Sequence, residues 1–197
     1  MKFYREGAAE PEGVSEVLVN GVLFSGDCIN EPGAVVEIKV SWKALRILSP
    51  KEVIIDDNRR DLYIYGERIK LLVKDNQSDL HVYGNHADVT IEHNDCNLHL
   101  YGNYLNITVH DNSSNLHIFG DFTVATVEDN DCNLHFHGNH NRIEFTKKCR
   151  AMAYGDYMKV TLHPLAEIQL GGCCIEQILL SKPPRKKRAI DLTEPEK

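Results

Sequence analysis

The sequence has no run of 18 apolar residues, so it holds no segment built to cross a bilayer as a helix. Met1-Lys-Phe-Tyr-Arg-Glu leads into polar sequence without an apolar stretch behind it, so no secretory signal is expected. Gly-rich phosphate loops and nucleophile motifs are missing too. Basic residues are in deficit, 22 Lys and Arg against 29 Asp and Glu for a net charge of −7, which argues against a basic nucleic-acid-binding face. Tryptophan is present once, as Trp42, and reads as core or cap packing.

What the chain has is repetition. From Asp57 to Thr146 it repeats every 18 residues, with Gly66, Gly84, Gly102, Gly120 and Gly138 in one register. Asn58, Asn76, Asn94, Asn112 and Asn130 hold a second register, and Leu62, Leu80, Leu98, Leu116 and Leu134 a third. A short fixed period is the mark of a solenoid, in which each repeat is one coil and neighbouring coils bury a shared core.

One repeat shows how a coil is made. Leu80-His81-Val82-Tyr83 and Ala87-Asp88-Val89-Thr90-Ile91 each alternate apolar and polar, the pattern of a strand with one buried face. Gly84-Asn85 is a turn signal, glycine supplying the positive φ that such turns often need. Asn76 lies in the other corner, among Asp75, Ser78 and Asp79. A hairpin meander would not need one residue type at each register, and a triangular helix of hexapeptides would need a third apolar run, which Lys74–Asp79 lacks. The expected fold is all-β, a parallel two-sheet β-solenoid (β-helix) with 18-residue coils, N- and C-terminal caps and a disordered C-terminal tail. The asparagine register reads as a structural ladder of stacked amides.

The organisation follows from where the period holds. Residues 1–13 are polar and read as a flexible N-terminus. Residues 14–56 read as an N-terminal β cap and a degenerate first coil, 57–163 as solenoid repeats, and 164–180 as a C-terminal cap. Residues 181–197 have too little apolar surface to fold alone.

Candidate sites are few. Cys96, Cys132 and Cys149 each lie six residues before a repeat glycine, which puts them in one column, with Cys132 and Cys149 one coil apart and near disulfide distance. Six cysteines without a signal peptide read as reduced structural thiols. Histidine is the richer signal. His81, His99, His117 and His135 face outward on the first strand, beside Tyr65, Tyr83, Tyr101, Phe119 and His137, and together they read as an exposed strip of rings that marks an interface. Metal binding by this column is disfavoured, because rings held ~4.8 Å apart and parallel suit tetrahedral coordination poorly. Thr90, Thr108 and Thr126 on the opposite sheet, flanked by charge, read as a solvated face. β-Helix enzymes set carboxylates in a cleft walled by loop insertions, and these five repeats carry no insertion. No catalytic residue, cofactor or resident metal is therefore expected.

The tail carries two short motifs. Pro184-Arg-Lys-Lys-Arg188, with Lys182 just before it, resembles a monopartite nuclear localisation signal of the kind that importin-α reads: Lys182, Arg185, Lys186, Lys187 and Arg188 would carry it. Ile190, Asp191, Leu192 and Thr193, followed by Glu194 and Glu196, resemble a SUMO-interacting motif. The sequence thus points to a non-enzymatic nuclear scaffold or adaptor that presents the His/aromatic face to a protein partner. Two alternatives are a self-associating structural homo-oligomer and a metal-dependent binder or enzyme that uses the His column.

Overall fold

A computed structural model describes residues 14–147 and 149–180, and these form strands and turns without a helix. The solenoid runs for about eight turns of ~18 residues. The N-terminal strands are β1 (Glu16–Val19), β2 (Val22–Leu23), β3 (Cys28–Asn30), β4 (Val35–Val40), β5 (Leu45–Leu48) and β6 (Glu52–Asn58). The regular coils hold β7 (Leu62–Tyr65), β8 (Lys70–Asn76), β9 (Leu80–Tyr83), β10 (Asp88–Asn94), β11 (Leu98–Tyr101), β12 (Asn106–Asn112) and β13 (Leu116–Phe119). The last third holds β14 (Val124–His137), β15 (Arg142–Phe145), β16 (Cys149–Tyr154), β17 (Lys159–Leu162), β18 (Glu167–Gly171) and β19 (Glu176–Leu179). From β3 to β17 each strand pairs in parallel with its counterpart one coil on, so β9 lies on β11 with Leu80 opposite Leu98, and β10 on β12 with Val89 opposite Ile107.

Parallel stacking of an 18-residue period brings like residues together, and the core is a set of columns. Leu62, Leu80, Leu98 and Leu116 are wholly buried on the first sheet, as are Val73, Ile91 and Val109 on the second. Burying each such side chain is worth about 1.5–3 kcal/mol. Volume is balanced along the axis. Phe136 is fully buried with Ala153 next to it in the same column, and Ala125 and Ala151 stand in the adjacent columns, opposite Ile143 and Leu134.

The corners differ from the simple turn reading. Left-handed backbone falls two residues after the repeat glycine, at Arg68, His86, Tyr104, Phe122, His140 and Tyr157, with φ of 56–58°. The repeat glycine itself has a positive φ of 147–155° at Gly102, Gly138 and Gly155, as the turn reading expects, but not at Gly84 or Gly120, where contact between coils is what requires it. A Cβ on Gly120 would sit 1.7 Å from the carbonyl oxygen of Gly102. The following residue then ties the coils together, the Asn85 side-chain Oδ1 accepting from Asn103 N at 2.8 Å and Asn103 Oδ1 accepting from Asp121 N at 2.8 Å.

At the opposite corner the amide ladder is continuous. Asn58 Nδ2 donates to Asn76 Oδ1, Asn76 to Asn94 and Asn94 to Asn112, each at 2.6 Å, and Asn112 donates to Asn130 at 2.5 Å. All five asparagines are buried, so each amide meets a need that water cannot. One expectation fails here. Cys149 lies opposite Asn130 instead of Cys132, because the chain gains one residue before Cys149 and loses two between it and Arg150, which lies opposite Asn133. Cys149 thus ends the ladder and has no place in the Cys96/Cys132 column; all six cysteines are free.

The two ends are unlike. At the start, β1 runs antiparallel onto β4 and buries Val17 and Val19. Trp42 is half-buried nearby, with the Arg59 guanidinium 4.8 Å above its ring. At the far end, among the described residues, β18 pairs only with β16 and β19 only with β17.

Candidate interaction surface

Strands β7, β9, β11, β13, the end of β14 and the end of β16 place two ring columns on the outer face of the first sheet. In one, Tyr63, His81, His99, His117 and His135 stack at 4.7–5.0 Å between ring centroids, their planes 3–13° apart. In the other, Tyr65, Tyr83, Tyr101, Phe119, His137 and Tyr154 stack at 4.9–5.3 Å. The columns lie 6.2–6.3 Å apart, side by side. Each ring turns its faces to its neighbours along the axis and its edge to solvent.

The rings shield one another. Apart from Tyr65 and Tyr154, those of both columns are half-buried, so the strip is less exposed than its outward register implies. The shielding reaches the imidazoles. Burial and the neighbouring His81 hold His99 below the usual histidine pKa, and burial with His99, His135 and His137 does the same for His117. Burial raises the Tyr83 phenol. The Nδ1 atoms of His81 and His99 are buried without a hydrogen-bond partner.

A third column was not read from the sequence. His86, Tyr104, Phe122, His140 and Tyr157, all in left-handed backbone, stack at 4.8–5.0 Å along the glycine corner. It is the more exposed column, with Tyr104 51 %, Phe122 47 % and Tyr157 58 % accessible. The signal that finds it is the register two residues after each repeat glycine, where ring-bearing residues recur but no single type does. The three columns wrap one edge of the solenoid in rings, and no loop interrupts them.

The other sheet face is charged. Asp56 is held below its ordinary pKa by hydrogen bonds from Lys74 and Lys39, and His110 Nδ1 lies 3.1 Å from Glu128. Thr90, Thr108 and Thr126 are in register between these charges.

Two of the thiols are shifted far upward. Burial pushes the Cys149 thiol up to about 12, and the Asp156 carboxylate beside Cys173 pushes that thiol up to about 11, so neither is a ready thiolate. No group of three or more His, Cys, Asp or Glu among the described residues is placed to hold a metal ion. The stacked imidazoles run parallel instead of converging on one point. The basic cluster Lys182–Arg188 and the segment Ile190–Thr193 lie outside the described residues. In comparison with known proteins, the chain matches no family model, no curated protein and no solved structure.

Proposed function

We propose that this chain is a non-enzymatic interaction scaffold of the nucleus, whose ring-lined edge is the surface a protein partner meets. The observation that supports it most is the run of three uninterrupted ring columns on a body stiffened by its amide ladder. A rigid apolar surface loses little conformational entropy when it docks. Ring edges carry the positive side of the aromatic quadrupole, so they suit ring faces and carbonyl oxygens of a partner. On this reading the basic cluster Lys182 and Arg185–Arg188 engages importin-α, and Ile190–Thr193 adds a strand to SUMO.

The test is a pull-down from nuclear extract with the wild-type chain and with Tyr101→Ser/Phe119→Ser and Tyr104→Ser/Phe122→Ser variants. Partners held by wild type should be lost from at least one variant, with circular dichroism unchanged. Equal capture by all three would move the interface off the rings.

A second reading is self-association, because the ring columns of two copies share one repeat distance and can interlock as paired sheets do. Sedimentation that gives a monomer at tens of micromolar would retire it.

A further inference from the structure

The ring columns sit among charges of one sign. Between Lys74 and Arg142 the sequence holds ten Asp and Glu and no Lys or Arg. Three of these carboxylates border the rings. Asp79 stands two residues before His81, Asp121 between Phe119 and Phe122, and Asp88 two residues after His86. Each is fixed by an amide donor: Asn97 Nδ2 to Asp79 at 3.0 Å, Asn139 N to Asp121 at 2.6 Å, and Asn106 Nδ2 to Asp88 at 3.2 Å. These donors are neutral, so the negative charge stays. The second sheet pairs its charges instead, Lys70 with Glu52, Lys74 with Asp56 and Lys159 with Glu176. Among the described residues no Lys or Arg pairs with Asp79, Asp88 or Asp121. His99 and His117, held below the usual histidine pKa, are largely neutral at pH 7 and do not offset them.

We propose, resting on the ring edge as the surface a partner meets, that this partner is an extended protein segment rich in Lys and Arg. Within a column the stacked rings cover one another's faces, which leaves no face for a cation to sit over. The cationic heads go to the carboxylates that border the rings, and the apolar stems of Lys and Arg lie across the ring edges between them. Length selects a segment over a single side chain. The column from Tyr63 to His135, at 4.7–5.0 Å per step, runs for roughly 20 Å, the reach of about six extended residues. A field of one sign speeds encounter with a basic partner and repels nucleic acid. It also opposes a second copy on this face, whose own carboxylates would meet these across the interface.

Fluorescence anisotropy on the full chain is the test, with three labelled peptides of one length that carry tyrosine interspersed with lysine, serine or glutamate. At about 50 mM salt the Lys peptide should bind at least tenfold tighter than the Ser peptide, and its affinity should drop at least threefold at about 300 mM. Asp79→Asn/Asp121→Asn keeps both accepting oxygens and removes two charges. It should weaken the Lys peptide at least threefold and leave the Ser peptide unchanged. Glu92→Gln/Glu144→Gln removes two charges from the second sheet and should change neither. Equal weakening by the two charge variants would overturn the proposal, because net charge would then be the whole attraction. No preference for the Lys peptide would also overturn it; the ring surface still stands if Tyr101→Ser/Phe119→Ser removes the binding that all three peptides share. Lys-peptide binding that the ring variant leaves intact would overturn the basic partner and the ring surface together.

Discussion

A Cβ on Gly84 would stand 1.7 Å from the carbonyl oxygen of Gly66, one coil earlier. Nothing in that pair can move aside, because the obstructing atom belongs to the backbone of the neighbouring coil. Gly84→Ala should therefore cost about 3 kcal/mol or more, at the upper end of overpacking effects. Gly21→Ala isolates the other penalty. Its Cβ meets nothing within 4 Å, but φ is +78°, so only a backbone cost of about 1 kcal/mol is expected. Urea midpoints in which Gly21→Ala is the worse of the two would show that φ, not coil contact, selects the repeat glycines.

The alternation of each strand predicts which neighbours matter. Leu98 is fully buried and His99 half-buried on the opposite face. Leu98→Ala should cost about 2–5 kcal/mol through the cavity it leaves. His99→Ala removes one ring from a stack and should cost under about 1.5 kcal/mol. Thermal unfolding ranks the two directly.

Most of this architecture was readable because a solenoid writes its contacts into a period. Leu80 and Leu98 touch because they are 18 apart, and the same holds for Asn76 and Asn94. The unread parts are those where residue type and geometry part company. The corner column runs Arg68, His86, Tyr104, Phe122, His140, Tyr157, and only its backbone conformation is constant. Cys149 was misplaced by counting back from Gly155, which assumes that the missing residue lies before the cysteine. The pairing sets Cys149 19 residues after Asn130 and Arg150 17 after Asn133, so one residue is gained before the cysteine, two are lost after it, and Cys149 inherits the asparagine register. Exposure of the ring strip was also overestimated, since alternation says which way a side chain points but not how far its stacked neighbours cover it.

The amide ladder should behave as a chain whose links depend on each other. Asn94 accepts from Asn76 and donates to Asn112, both at 2.6 Å and all buried. Asn94→Leu leaves a buried donor on one side and a buried acceptor on the other, and should cost about 2–4 kcal/mol. Asn94→Asp keeps the acceptor, loses the donor and buries a charge, so it should be the more damaging at pH 7 and recover in part near pH 5, where the carboxyl regains its proton. Chemical unfolding of both variants at the two pH values checks the order. Equal loss at both would mean that the site is wetter than the ladder implies.

The stacked imidazoles give the fold an acid-side weakness. His99 and His117 have folded pKa values below the usual histidine value of 6.5, through burial first and neighbouring imidazoles second. Protonation of His99 also places a donor at its Nδ1, which is buried without an acceptor. Below pH 6.5 the unfolded chain then binds protons that the folded chain refuses, and stability falls as protons are added. Above that pH both states are neutral and these two groups contribute no pH dependence. Loss should therefore begin near pH 6.5 and grow until the folded imidazoles themselves take protons. This window is separate from the carboxylate one, because Asp56 is depressed below 3.8 and its contribution is lost only in stronger acid. Urea midpoints at pH 7.5, 6.5, 5.5 and 5.0 should drop across the last three values. His99→Phe/His117→Phe keeps two rings in the stack and removes both titrations, so its midpoints should vary less over the same range. A double variant with the wild-type slope would place the acid sensitivity in other groups.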